Sequence, residues 1–161
     1  MIRSYRAEDL ASVLDLWGEF DRFHVASDPS RFRIPGDDER LARHLHYTAD
    51  AESFLLVADV GSVLSGFIAG TFRKTPAVAL LRDASIQELH AIFVLPDTRT
   101  ESVGSELVRT ALALGRTRRA REAVCHIWSF NDPAAAMVRK LGFYRQSSKF
   151  AFIFSDSEEG R

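Results

Sequence analysis

The sequence predicts an α/β protein of the α+β type, with helices packed on one mixed, mostly antiparallel sheet of six or seven strands. Three observations support this prediction. β-Rich runs are interspersed with runs in which apolar residues recur every three or four positions. Three of the β-rich runs follow one another, and a turn at Gly61 and Ser62 separates the first two, as in an antiparallel pair. The chain of 161 residues is long enough for one domain with a real core.

The first third of the chain predicts a strand, two helices and a loop. A short strand in "MIRSYR" precedes a helix in "AEDLASVLDLWGEFDRFH", where Val13, Leu14 and Trp17 have helical spacing. The run "SDPSRFRIPGDD" is rich in turn-forming residues and predicts a loop before a more polar helix through "DERLARHLHYTA". Aromatic side chains beside this loop are candidates for lining a pocket, with core packing as the alternative for at least two of them: Phe20, Phe23 and Phe32.

The rest of the chain predicts more strands and two further helices. The runs "SFLLVADV", "VLSGFIAGTFRK" and "SIQELHAIFV" are β-rich, and the last of them ends at Leu95 and Pro96. Apolar spacing from Val103 predicts a helix to about Arg116. A strand in "AREAVCHIWSF", a short helix in "NDPAAAMVRKL" and one or two closing strands in "GFYRQSSKFAFIF" follow. We expect residues 1–155 to form one domain and residues 156–161 to form a loose tail.

Composition argues against several classes of partner. The net charge is −1, so no broad basic field is available for nucleic acid or for an anionic membrane. No apolar run approaches the roughly 20 residues that cross a bilayer, and no signal peptide is recognisable. The single cysteine, Cys125, has no partner for a disulfide within the chain, and the five histidines lack metal-ligand spacing. We therefore expect a cytoplasmic protein without a metal, a nucleic-acid partner or a membrane partner.

The stretch "VLPDTRTESVGSELV" places a strand, a tight turn and a helix N-terminus in succession. The first amides of a helix lack intrahelical partners, and together with the helix dipole they favour a phosphate. The alternative is a turn that only connects a strand to a helix.

Two segments, "ELHAIFVLPDTRTESVGSELV" and "WSFNDPAAAMVRKLGF", resemble the GNAT superfamily of acyl-coenzyme A dependent N-acetyltransferases. Arg99, Ser102 and Gly104 occupy the three defining places of the loop pattern of that family. Asn131, Ala134 and the "LGF" at 141–143 fit its second block. The resemblance implies a GNAT-like sheet with about four helices packed on both faces, and acetyl-CoA as the cofactor.

The resemblance also implies a cofactor site. The backbone of Phe93, Val94 and Leu95 would pair with the pantetheine arm as an added strand. Asn131 and Ala134 would lie near the thioester, and the alternative role of Asn131 is to cap the last helix. The loop assigned to the pyrophosphate consists of Arg99, Thr100, Glu101, Ser102, Val103, Gly104 and Ser105.

The loop departs from the family pattern at three positions. Thr100 and Ser102 stand where glycines are common, and side chains there restrict the backbone while adding hydroxyl donors. Glu101 places a carboxylate beside the expected pyrophosphate, and like charges repel. We expect coenzyme A to bind, with micromolar or weaker affinity.

The candidates for acid–base chemistry lie on the strand before the loop and near the last helix. Glu88 stands where the family often has its general base, and Glu88 and His90, two residues apart on one strand, share a face. The alternative for Glu88 is a salt-bridged surface residue. Val138 stands where the family often has a Tyr acid, which leaves Tyr144 as a candidate acid with packing as its alternative.

These expectations define an enzyme and an alternative. The enzyme would be an N-acetyltransferase that moves an acetyl group from acetyl-CoA to a primary amine of a small molecule or protein by direct attack. The alternative is a catalytically weak or inactive acyl-CoA-binding or regulatory module, which Val138 and Glu101 favour. Acceptor specificity is expected from the first two helices, the loop at 27–38 and the closing strands. The apolar "FAFIF" either forms a homodimer interface or finishes the sheet.

Overall fold

The computed structural model describes residues 1–61, 63–76, 78–98 and 102–154. The strands are β1 (Ile2–Ser4), β2 (Ser53–Val60), β3 (Val63–Lys74), β4 (Ser85–Val94) and β5 (Glu122–Cys125). The helices are α1 (Leu10–Ser27), α2 (Asp37–Thr48), α3 (Val103–Thr117) and α4 (Asp132–Lys140). The order of helices and strands is the predicted one as far as α4. The expected tail at 156–161 lies outside the described residues.

The strands form one sheet in the order β1-β2-β3-β4-β5. The first three pairings are antiparallel, and β4 pairs with β5 in parallel. A mixed, mostly antiparallel sheet is therefore confirmed. The described residues form five strands, so the predicted number of six or seven was too high.

The closing strands predicted in "GFYRQSSKFAFIF" account for most of this difference. Within the described residues, 144–154 form no strand, and Phe150, Phe152 and Phe154 are 92, 80 and 85% exposed. Apolar residues stabilise a strand through cross-strand neighbours, and no strand of the described residues lies beside these side chains. Local β-propensity was therefore a misleading guide to this segment.

Strand β5 is also shorter than the predicted "AREAVCHIWSF". Its pairing with β4 runs from Glu122 opposite Ile86 to Cys125 opposite Leu89. The two strands separate beyond that point, so the residues after Cys125 lack the hydrogen-bond ladder that defines a strand.

Helices cover both faces of the sheet, as the resemblance implied. On one face, α1 and α2 contribute Trp17 and Tyr47 to a buried cluster with Phe67 and Phe93. On the other face, α3 packs against the sheet in a second cluster, through residues that include Leu107. None of the helices in the described ranges is both long and apolar enough to cross a membrane.

A β-bulge interrupts the pairing of β3 with β4. Ala69 lies opposite Ala91, whereas Gly70 lies opposite Leu89, so His90 has no partner residue on β3. A Cβ at Gly70 would collide with the carbonyl oxygen of Glu88. A glycine on β3 therefore allows the two backbones to approach at the bulge, which lies at the start of the candidate site.

Candidate functional site

The site is built around the opening between β4 and β5. The two strands pair only as far as Leu89 and Cys125, while β4 continues to Val94. Among the described residues, no strand lies beside β4 on the β5 side from His90 onward. An unpaired strand edge can accept an extended ligand as an added strand.

Main-chain direction along β4 decides which residues face this opening. The amide of Leu95 donates to the carbonyl of Ser65 on the β3 side at 2.8 Å. Hydrogen-bonded and non-hydrogen-bonded pairs alternate in an antiparallel ladder, so Phe93 also turns its main-chain groups toward β3. The groups of Ile92 and Val94 turn toward the opening instead. Of the three residues predicted to face the pantetheine arm, the register places only Val94 in that orientation.

The N-terminus of α3 lies at the end of β4. A Cβ at Gly104 would contact the Sδ of Met137 on α4 at 3.1 Å and a methyl of Val94 at 3.9 Å. Close packing of α3 between β4 and α4 is therefore a sufficient reason for glycine at this position. Ser102 is the residue before the helix, and its carbonyl accepts from the amide of Glu106 at 2.8 Å.

The structure describes only part of the predicted pyrophosphate loop. Arg99, Thr100 and Glu101 lie outside the described residues. Ser102 is exposed, whereas the residues of the first helical turn that follow it are partly buried: Val103, Gly104 and Ser105.

Asn131 caps α4. Its side-chain oxygen accepts a hydrogen bond from the amide of Ala134 at 3.2 Å. The amide of Asn131 itself donates to the carbonyl of Trp128 at 2.9 Å. The capping role named as the alternative is thus confirmed, and it uses the amide of Ala134, which had been assigned to the cofactor.

Glu88 and His90 contact each other, as their spacing predicted. The Nε2 of His90 lies 3.3 Å from Oε2 of Glu88. The Nε of Arg73 donates to the other carboxylate oxygen at 2.7 Å, and Thr71 lies 3.4 Å from His90 Nε2. The hydroxyl of Tyr47 on α2 lies 3.0 Å from Nδ1 of the same imidazole. We call Glu88, His90, Tyr47 and Arg73 the acid–base cluster.

The negative charge of this cluster is held on Glu88. Desolvation raises the pKa of the Glu88 carboxyl, but hydrogen bonds from Arg73 and His90 outweigh it, and the pKa lies below its ordinary value. Burial raises the pKa of Tyr47, although the nearby Arg43 opposes this effect. At neutral pH the carboxylate is therefore ionised and the phenol keeps its proton. A carboxylate only accepts, so His90 donates from Nε2 and accepts from Tyr47 at Nδ1 in its neutral form.

Sequence reasoning missed Tyr47 and Arg73. Tyr47 lies 43 residues before His90 in the chain, and Arg73 reaches Glu88 across the β3–β4 pairing. The available signal was that Tyr47 is an aromatic residue in a helix otherwise rich in charge. That signal does not identify His90 as the partner.

The predicted acid positions contain no proton donor close to this cluster. Val138 is buried in α4 with 9% exposure, so it serves as packing. Tyr144 is 77% exposed in the irregular segment after α4. It makes no hydrogen bond with Glu88 or His90, all three being within the described part of the chain.

Cys125 does not offer a reactive thiol. Burial raises its pKa, which disfavours the nucleophilic thiolate. Within the ranges that the structure describes, no group of three or more His, Cys, Asp or Glu residues is arranged to hold a metal ion.

A shallow surface cavity of about 390 Å³ lies at the other end of β4 from the opening. Its lining includes Ser85, the first residue of β4, together with Lys74 and Arg118. Arg73 of the acid–base cluster also lines it, but none of its lining residues lies in the part of β4 that extends beyond the pairing with β5. The acid–base cluster and the β4–β5 opening therefore define the better candidate site.

Residues 16–143 match the family model described as "Acetyltransferase (GNAT) family". The chain belongs to the GNAT acetyltransferase family. No curated protein matches the chain in sequence.

Solved structures show the same fold at low sequence identity. A mutant of the BH1408 protein from Bacillus halodurans has a TM-score of 0.86 and 17% identity over 96% of this chain and 99% of that one. AAC(6')-Iy in complex with the bisubstrate analogue CoA-S-monomethyl-acetylneamine has a TM-score of 0.73 and 20% identity, covering 96% of this chain and 97% of that one. The aminoglycoside 6'-N-acetyltransferase AAC(6')-IG from Acinetobacter haemolyticus has a TM-score of 0.73 and 19% identity, covering 96% and 98%.

Proposed function

We propose that this protein transfers an acetyl group from acetyl-CoA to a primary amine by direct attack. One observation carries the proposal. The acid–base cluster lies where β4 and β5 separate, so titratable groups stand beside an open strand edge. The family match and the coenzyme A-derived ligand of the AAC(6')-Iy structure support the choice of acyl donor.

The residues present fit an extended acyl-CoA arm. Ile92 turns its main-chain groups toward the opening, which is the arrangement that pairs with an added strand. The first turn of α3 follows at the end of β4, where a helix dipole favours phosphate. Gly104 holds this turn against Val94 and Met137, which fixes its position relative to the strand.

When bound, acetyl-CoA supplies an acetyl group that is activated as a thioester. The acceptor arrives as an ammonium, and the ionised Glu88 attracts it and takes its proton, directly or through one water. The free amine then bonds to the thioester carbon as the C–S bond breaks, and the second proton that the nitrogen loses passes through water to the departing thiolate. Hydrogen bonds from Arg73 and His90 hold the carboxylate in place, and Tyr47 fixes the orientation of His90. The lowered pKa of Glu88 keeps the carboxylate charged and makes it a weaker base, so the proton that it accepts is released readily to water.

The test measures release of free thiol from acetyl-CoA with a panel of primary amines. Glu88→Gln keeps the shape of the side chain and removes the base, so kcat/KM should fall by about 10²- to 10⁴-fold. Glu8→Gln is the matched control, because the Glu8 side chain is 72% exposed and pairs only with Arg6 at 3.5 Å. Full activity in Glu88→Gln would remove Glu88 from the mechanism.

A second candidate function is a module that binds acyl-CoA without efficient transfer. The buried Val138 favours it, because a valine cannot protonate a leaving thiolate. Calorimetry separates the two functions. Clear heat of binding with coenzyme A, together with no thiol release above the hydrolysis rate for any amine, would support the module.

Two further expectations remain predictions. A homodimer through the segment "FAFIF" is testable by sedimentation of the full chain. Phosphate contacts by Arg99 and the hydroxyl of Thr100 are testable by Arg99→Ala and Thr100→Val variants, which should weaken coenzyme A binding.

A further inference from the structure

Four rings form a surface at the outer end of the β4–β5 opening. We call Phe32, Trp128, Phe130 and His24 the aromatic wall. Phe32 meets Trp128 edge-on with ring centroids 5.1 Å apart, and His24 meets Phe32 at 5.2 Å. Trp128 and Phe130 are parallel, with an interplanar angle of 1° and centroids 6.4 Å apart. His24 comes from the end of α1 and Phe32 from the loop that follows it, whereas Trp128 and Phe130 lie in the segment after β5.

The wall is distinct from the hydrophobic core. Phe20 and Phe23 pack against the buried cluster beneath α1, which confirms core packing for two of the three loop aromatics. Phe32, Trp128 and Phe130 belong to neither buried cluster, and each is partly exposed. Three large rings therefore contact one another where solvent or a ligand can reach them.

The wall and the acid–base cluster share one face of the sheet. Phe20 connects them, because its ring lies 4.2 Å from that of His24 and 6.5 Å from that of Phe93 on β4. The parallel register pairs Glu88 with Val124 and ends at Cys125, so Trp128 comes four residues after the residue opposite Glu88. At about 3.3 Å per residue, this places Trp128 at most roughly 13 Å from the level of Glu88.

Charge around the wall does not suit a polycationic acceptor. In the loop beside the wall, Asp28 pairs with Arg31 at 3.2 Å and Asp37 pairs with Arg40 at 2.8 Å. The guanidinium of Arg31 also lies 5.5 Å from the centre of the Trp128 ring. The edge of the wall therefore carries an ion pair, and its carboxylate already has a cationic partner.

We propose that the acceptor is a primary amine joined to an aromatic ring by a short aliphatic linker; this rests on the transferase function proposed above. A substrate ring that contacts Trp128 with centroids about 5 Å apart leaves at most roughly 8 Å to the level of Glu88. A two-carbon linker places the amine about 5 Å from the centre of the ring, and a hydrogen bond of about 3 Å from the amine to the carboxylate covers the rest. The amine then reaches Glu88 while the ring packs on Trp128 and Phe32.

The test compares three amines in the thiol-release assay. Phenethylamine carries the aromatic ring, cyclohexylethylamine has a similar size without aromaticity, and an amino sugar is polar and polycationic. We expect kcat/KM to be highest for phenethylamine, and about 2- to 12-fold above cyclohexylethylamine for each ring contact. Equal values for the first two amines, or a preference for the amino sugar, would overturn the assignment.

Variants of Trp128 test the position of the ring. Trp128→Ala should raise the KM for both amines with little change in kcat, and the increase should be about 2- to 12-fold larger for phenethylamine than for cyclohexylethylamine. Trp128→Phe keeps a ring and should retain most of the activity, which also excludes a folding defect as the cause. An equal loss for all amines in Trp128→Ala would contradict a specificity role.

Tryptophan fluorescence separates failure of this inference from failure of the proposed function. Trp17 is 1% exposed, whereas Trp128 is partly exposed and responds to a ligand on the wall. Saturable quenching by phenethylamine that is lost in Trp128→Phe, without acetylation of any amine, would keep the wall and reject the transferase. Acetylation of amines without such quenching would reject the wall and keep the transferase.

Discussion

Replacing Tyr47 by Phe removes one hydrogen bond from the acid–base cluster and little else. The hydroxyl lies 3.0 Å from Nδ1 of His90, while the ring is stacked on Trp17 with centroids 5.9 Å apart. Phe keeps that stacking and the buried volume. A hydrogen bond of this kind contributes about 0.5 to 1.5 kcal/mol, so kcat/KM should fall about 2- to 12-fold. The fold should be retained, with near-native circular dichroism.

The assay follows kcat/KM against pH for Tyr47→Phe, His90→Ala and the double variant. If Tyr47 acts by orienting His90, the double variant should be no slower than His90→Ala alone, because residues in one network are not additive. Tyr5→Phe is the matched control, since the Tyr5 ring packs against His44 at 4.8 Å and lies outside the cluster. Fully additive losses, or an unchanged pH profile in Tyr47→Phe, would refute a positioning role.

Three predictions concern stability. Hydrogen bonds from Arg3 hold the pKa of Asp9 below its ordinary value of 3.8, so the pair stabilises the fold fully above that pH and is lost as the pH falls below it. Asp9→Asn should therefore be less stable at pH 7 and should lose less stability on acidification, as measured by urea unfolding. Gly70→Ala should cost about 1 to 3 kcal/mol, because the new Cβ meets the Glu88 carbonyl oxygen in a packed sheet; an unchanged urea midpoint would contradict this packing. Val138→Tyr should destabilise by a similar amount without raising kcat, since position 138 is buried and lacks room for a ring; faster thiol release would show that the missing acid can be restored there.

The sequence predicted those parts of the fold that are decided locally. Apolar spacing located α1 and α3, and period-two alternation put Glu88 and His90 on one side of β4, where they are in contact. The closing strands were predicted wrongly because propensity does not reveal whether a partner strand exists. Residues 150–154 have the composition of a strand, but the part of the chain that the structure describes places no strand beside them.

The rest of the candidate site depends on contacts between distant segments. Tyr47 reaches His90 from another element, and Phe32 meets Trp128 across 96 positions of the chain. The local sequence pattern of these segments does not predict either contact. The sequence offered Phe20, Phe23 and Phe32 together as pocket candidates, with core packing for at least two of them. Only packing shows that Phe20 and Phe23 are those two and that Phe32 lies outside the core cluster.

The bulge at His90 changes which face of the sheet the following side chains of β4 point to. A regular strand that turned Glu88 and His90 toward α2 would send residues 91 and 93 to the opposite face. Because the bulge adds one residue to β4, the alternation of side chains between the two faces shifts by one position after His90. Ala91 and Phe93 therefore point into the cluster under α1, and the imidazole of His90 still lies beside the opening. One irregular position thus lets a single strand carry reactive groups in its middle and a hydrophobic anchor at its end. If one residue were deleted there, either the reactive side chains or the core side chains would point to the wrong face of the sheet.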